Sequence, residues 1–98
     1  MDIQWNSLHD SSIKEISIDW EREILTIEIS TTALSFPEIR RAFIKAENVT
    51  SLLCPMKSPW GKSKSINEVK QIGKKLKIEM QSGDTIVIEA TLFKLEEF

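Results

Sequence analysis

Apolar and polar residues alternate with a period of two along the last third of the chain. Leu76, Ile78 and Met80 alternate with Lys77, Glu79 and Gln81, and Ile86, Ile88, Ala90 and Leu92 repeat the pattern on the return. That period marks half-buried strands. The loop between them follows from parity. A two-residue loop at Ser82-Gly83 would set Ile78 against Val87 and split the apolar residues between faces. A three-residue loop, Gln81-Ser82-Gly83, sets Ile78 against Ile86 and Leu76 against Ile88, with Gly83 at the left-handed position. After Leu92 the apolar phase moves to Phe93 and Leu95, which calls for a bulge or bend.

A second hairpin is expected over SSIKEISIDWEREILTIEIS. Ile16, Ile18 and Trp20 share one face of its first strand, and Leu25, Ile27 and Ile29 share one face of its second. Their opposite parity requires an even loop. With no Gly or Asn available, the expected loop has four residues, Trp20 to Glu23, pairing Ile18 with Leu25 and Ile16 with Ile27.

Residues 32–54 admit two readings. Pro37 could open a helix over 37–47, with Ile39, Ala42, Phe43 and Ala46 on one face. That helix would leave Ile44 on the wet side, and Val49 to Leu53 lean towards strand. Two strands, 39–46 and 49–54, are favoured. Residues 55–63 form a loop punctuated by Pro55, Pro59 and Gly61. A strand over 64–71 and a turn near Gly73 then lead into the C-terminal hairpin. The expected fold class is all-β, with α+β as the alternative. Its architecture would be an antiparallel meander of six or seven strands, closed as a small sandwich or a partly open barrel.

The 98 residues make a single domain, 1–98, of ordinary globular composition. No apolar run reaches the length of a membrane span. MDIQWNSLHDSS lacks the basic start and apolar core of a secretion signal. Cys54 is the only cysteine, which excludes an intrachain disulfide. A cytoplasmic location is the expectation. Residues 1–50 carry five basic and nine acidic side chains, a balance of −4, and residues 51–98 carry eight and six, a balance of +2. Lys57, Lys62, Lys64, Lys70, Lys74, Lys75 and Lys77 face only Glu68 within 57–77. A solvated sheet surface with edge-protecting lysines accounts for them more simply than a nucleic-acid site does.

Candidate chemistry is sparse. His9 stands beside Asp10, but one histidine and one cysteine cannot fill a structural zinc site. No metal or cofactor is expected. The simpler expectation is that Asp10 and Ser11 close the turn into the first strand while His9 packs beside Trp5 or Trp20. Cys54, His9 and Asp10 could formally supply a nucleophile, a base and an orienting group. Following Leu52 and Leu53, however, Cys54 reads as a small buried hydrophobe. Gly61-Lys62-Ser63 ends like a phosphate-binding loop. Met56 stands where that motif needs glycine, and a strand follows where it needs a helix. No catalytic constellation emerges, and a non-enzymatic protein is expected. Trp60, flanked by Pro59 and Gly61 with Met56 and Lys62 nearby, is either an interaction anchor or a cap folded over the open end of the sheet.

Leu8-His9-Asp10-Ser11 entering an alternating strand, then Pro59 to Ser63, then IEMQSGDTI, resembles short bacterial single-domain β proteins. Some of these are similar to immunity proteins of toxin systems. The resemblance implies a β-rich cytosolic domain that acts by binding one partner, and it supplies no catalytic residues. The leading expectation is therefore a protein-interaction domain using loop 55–63 and an exposed sheet edge. One alternative is a small-ligand site in a barrel mouth near Trp5, His9 and Trp60. The other is weak nucleic-acid binding through the lysine-rich segment. A homodimer is compatible with so small a domain bearing open strand edges.

Overall fold

The computed structural model describes residues 5–32 and 39–97. Among these, eight strands form two antiparallel sheets. They are β1 (Ser12–Asp19), β2 (Ile24–Thr32), β3 (Ile39–Glu47), β4 (Ser51–Leu53), β5 (Ile66–Ile72), β6 (Lys75–Met80), β7 (Thr85–Glu89) and β8 (Leu92–Glu97). A 3₁₀ turn, Trp5–Leu8, precedes them. The orders are β1-β2-β3-β8 and β4-β7-β6-β5. The fold is all-β, and none of the described helices is long and apolar enough to cross a membrane.

Both hairpins have the loops that parity requires. Ile78 faces Ile86 and Leu76 faces Ile88, while Met80 and Asp84 close a loop of Gln81, Ser82 and Gly83. Gly83 is left-handed at φ 92°. Ile18 faces Leu25 and Ile16 faces Ile27 around the loop Trp20 to Glu23. Its first turn is fixed by Asp19 Oδ1, which accepts the N–H groups of Glu21 and Arg22 at 3.1 and 3.2 Å. Residues 39–47 are strand. Ala42, Ile44 and Ala46 point into the core, so Ile44 gains a buried place that a helix would have denied it. Pro37 lies outside the described residues.

The strand order departs from a meander. β3 with β4, and β7 with β8, are two strands of one long ribbon bent at a corner. Glu47 faces Leu92 on one side of the bend and Ser51 faces Glu89 on the other. Three residues, Asn48 to Thr50, therefore oppose two, Ala90 and Thr91. The ladder stays bonded through the corner. Thr91 N–H donates to the Glu47 carbonyl at 3.1 Å, and Thr50 N–H donates to the Glu89 carbonyl at 2.8 Å. Asn48, left-handed at φ 56°, ties the bend with a 2.8 Å bond from its Nδ2 to Thr91 Oγ1. Strands that switch sheets at such bends make the corners of orthogonal packings. The bend expected after Leu92 falls at Ala90-Thr91, where it splits the last strand in two and brings the count to eight.

At a second corner the start of β1 meets the segment before β5. Ser12 bridges Ser65, and Ile13 N–H donates to the Lys64 carbonyl at 2.8 Å. Between the sheets, Leu25, Ile27, Ile29, Ile44, Ile66, Leu76, Ile78 and Ile88 are buried, with Trp5 and Leu8 of the 3₁₀ turn packed at one side.

Closure is incomplete along β1. Ile13, Ile16 and Ile18 lie opposite Ile29, Ile27 and Leu25, so they face inward. Yet Ile13 and Ile16 are only half-buried and Ile18 is exposed. Trp20, expected on the buried face beside them, belongs to the loop and is 83% exposed. The second sheet ends at the three-residue β4, too short to cover the whole of β1.

Candidate functional site

The site is built on the tip of the β6–β7 hairpin. Gly83 has no side chain, so loop 55–63 can lie directly on the turn. A Cβ placed at Gly83 would meet Pro59 Cγ and Trp60 Cδ2, each at 2.8 Å. One face of the Trp60 indole thus covers the turn, while the residue remains 72% exposed. Trp60 folds back onto the sheet end, as the capping expectation has it, and still presents an aromatic face to solvent.

Asp84 holds the loop down. Lys57 N–H donates to its Oδ1 at 3.0 Å and Ser58 N–H to its Oδ2 at 2.9 Å. The Ser82 hydroxyl donates to Oδ2 at 2.9 Å. Trp60 N–H donates to the Ser82 carbonyl at 2.9 Å and Gly61 N–H to the Ser58 carbonyl at 3.0 Å. Ser58 and Gly61 are left-handed, at φ 50° and 105°, and these bonds hold that sharply turned path. Asp84 is buried, and burial by itself opposes its ionisation. The Ser58 N–H, the Ser82 hydroxyl, the Lys57 N–H and the Lys57 charge together outweigh that opposition and hold the carboxyl below its ordinary range.

The pH consequence has a definite sign. A depressed carboxyl pKa contributes stability that is fully present above the unfolded value of about 3.9 and is lost as pH falls through the folded value. On acidification below about pH 4, the Lys57 and Ser58 amides are expected to lose exchange protection before the β6–β7 ladder does. Asp84→Asn should remove that acid dependence. Amide exchange followed by NMR between neutral and acid pH checks this, and equal protection of the loop amides across the range would refute it.

His9 and Asp10 stand against the same hairpin. Asp10 Oδ1 accepts Gln81 Nε2 at 2.6 Å, and Asp10 N–H donates to the Ile66 carbonyl at 2.8 Å. His9 is exposed. Its Nδ1–H donates at 2.6 Å to the carbonyl of Asn67, a residue left out of register by the irregularity between Ile66 and Glu68. His9 Nε2 lies 3.4 Å from Asp10 Oδ2. The pair therefore links the lead-in to β5 and the hairpin rather than closing only its own turn. His9 borders Trp5, Asn67, Glu68 and Val69 around a shallow hollow of about 310 Å³, and Trp20 lies elsewhere. Trp5 is buried and donates from Nε1 to Gln71 Oε1 at 3.1 Å. Trp60 does not line that hollow, so the structure does not gather Trp5, His9 and Trp60 into one mouth.

Met56 is 87% exposed and Leu53 61%. Lys62 is exposed just beyond Gly61. Cys54, expected to be buried, is exposed, because β4 ends at Leu53 and releases the chain to the rim of a cleft. That cleft, about 440 Å³, is lined chiefly by Ile13, Ile16, Pro55, Met56, Met80 and Ile86. Partial burial, and then the Asp84 carboxylate, push the Cys54 thiol pKa up, opposite to the shift that activates a thiolate nucleophile. His9 and Asp10 do not line the cleft. Among the described residues no group of three or more His, Cys, Asp or Glu side chains could hold a metal ion.

The lysines do not form a single-sign patch. Lys70 faces Lys77, but Glu68 faces Glu79 beside them and Lys75 faces Glu89. Lys70 and Lys75 make exposed ion pairs with Glu68 and Glu89. Glu79 and Glu89, beyond the lysine-rich segment in sequence, return to it across the sheet.

Sequence reasoning missed Asp84 and Ser82 as the loop's anchors, and Gln81 as the partner of Asp10. An Asp directly after a turn glycine is a cue for turn chemistry, but its partners lie 26 and 27 residues away. No family model, curated protein or solved structure matches the chain.

Proposed function

We propose that this protein is a non-enzymatic interaction domain that captures a protein partner with the loop seated on the β6–β7 hairpin. The observation that carries this reading is a loop pinned by Asp84 and Ser82 that nevertheless leaves Met56 and Trp60 largely exposed. Large apolar side chains on a restrained backbone bind with little further ordering cost, which is what interface anchors need. Lys62 supplies a charge at the rim, and Gln81 and Asp10 supply polar groups beside the hairpin tip. The resemblance to immunity proteins makes a bacterial toxin the partner class to test first, with the domain acting as its inhibitor.

Capture from nuclease-treated lysate, and from one containing candidate toxins, tests this. The wild type should retain a partner stoichiometrically, and Trp60→Ala and Lys62→Glu should lose it. Equal retention by the wild type and both variants would refute the site. The mixed charges around Lys70 and Lys77 support a solvated sheet face over a nucleic-acid surface.

A further inference from the structure

We propose that the open seam along β1 is the interface of a two-fold dimer, in which a second copy of this chain pairs antiparallel with the edge of β1. The inference makes no use of Trp60, although its receiving cleft is bordered by Met56 of the same loop. It begins with the backbone. β1 is an edge strand, and among the described residues no backbone hydrogen bond reaches its free side beyond Ile13. Alternate residues of Lys14 to Asp19 therefore offer N–H and C=O groups to whatever lies alongside. An edge of this kind is a template for strand addition.

Side chains mark the same strip. Ile13, Ile16 and Ile18 face inward, but the first two are only half-buried and Ile18 is exposed. Hollows flank β1 at both ends. One is the apolar cleft of about 440 Å³ at Ile13 to Ile16. The other, about 460 Å³, lies between Ile18 to Trp20 and Val49 to Leu52. Trp20 projects from the second end with most of its surface in water.

Charge identifies the occupant as another copy. The Ile13–Ile16 end carries Lys14, Lys64 and, between Met56 and Ser58, Lys57, against Glu15. The ionised Asp84 carboxylate also lines that end, so three basic groups stand against two acidic ones and the end is basic by one charge. The other end carries Asp19, Glu21 and Glu23 against Arg22, which pairs with Asp19 at 3.9 Å. A strip that is basic at one end and acidic at the other complements itself when turned half-way round about its midpoint. A two-fold interface imposes that operation. The same rotation carries Trp20 of each copy towards the apolar cleft of the other. A protruding tryptophan and a receiving hollow, at opposite ends of one strand, are thereby satisfied twice. Each insertion withdraws about 150–250 Å² of aromatic surface from water.

The register follows as well. Pairing centred on Ser17 would set Glu15 against Asp19 of the other copy, and like charges directly opposite are unfavourable. Pairing centred on Ile16 sets Ile16 against its own copy, Glu15 against Ser17, and Lys14 against Ile18 beside the acidic end. The bulge between Ile13 and Glu15 limits the ladder to this short run. The pairing closes on two copies, and Trp60 lines neither of the two hollows.

Sedimentation equilibrium of the full chain up to about 0.5 mM is the test. The expected result is a reversible monomer–dimer equilibrium. Trp20→Ala, at an exposed loop position, should weaken it by about tenfold or more with an unchanged circular dichroism spectrum. Lys14→Glu and Glu21→Lys should each weaken self-association, and an equimolar mixture of these two variants should associate more tightly than either alone. A strict monomer at the highest concentration would overturn the proposal. So would a dimer indifferent to Trp20→Ala, or one in which the mixed charge variants gain nothing.

Discussion

Ile78→Ala is expected to destabilise the domain by about 2–5 kcal/mol, the usual cost of emptying a filled core position. Ile78 sits in the middle of β6, fully buried, and faces Val69 on one side and Ile86 on the other. Those neighbours are held in ladders and cannot collapse into the void. Domains of this size hold about 5–15 kcal/mol in total, so the variant would lose a large share of its reserve. Urea unfolding checks this, with the midpoint falling and the slope unchanged. A loss below about 1 kcal/mol would mean that the sheets do not pack at Ile78 with native density.

Gly83→Ala is expected to cost about 2–4 kcal/mol, adding left-handed backbone strain to overpacking. Either contribution could arise in any tight hairpin. The distinguishing feature is where the added methyl points, which is into Pro59 and Trp60 rather than into solvent. The midpoint of thermal unfolding should fall by roughly 10 °C or more, and the emission of the Trp20→Phe background, in which buried Trp5 is a constant contribution, should change as the Trp60 ring is pushed off the turn. Gly73→Ala is the control. Gly73 is also left-handed, at φ 58°, but nothing stands where its Cβ would be. It should cost only the backbone component and leave the Trp60 emission unchanged.

Strand positions were legible in the sequence because the period-two pattern and the loop parity constrain each other. Once Ile78 and Ile86, or Ile18 and Leu25, must share a face, one hairpin needs an odd loop and the other an even one, and the residues available for the turn select three and four. The bent ribbon was not legible in that way. A phase change near Leu92 signals a bend, but nothing local says that β4 and β7 turn together into the other sheet. Trp20 and Cys54 were misplaced for a related reason. Trp20 shares the parity of Ile16 and Ile18, and Cys54 follows Leu52 and Leu53, yet β1 outruns the cover given by the short β4, so neither position amounts to burial.

The candidate site was legible in its surface residues and hidden in its supports. Composition alone singles out Trp60, Met56 and Lys62. That Trp60 is held down on a glycine depends on Asp84 and Ser82 reaching loop amides across the fold, and no spacing rule encodes those bonds. His9 and Asp10 were visible as a pair, but their partners, Asn67 and Gln81, belong to strands and turns distant in sequence.

The most direct measurement is the dissociation constant of the captured partner, purified and titrated against the wild type and Trp60→Ala. If the pinned loop is the contact surface, affinity should fall about thirtyfold or more, the loss typical of a central aromatic anchor. The off-rate should carry most of that change. Affinities within about twofold of each other, well under 1 kcal/mol, would contradict the assignment of partner binding to this loop.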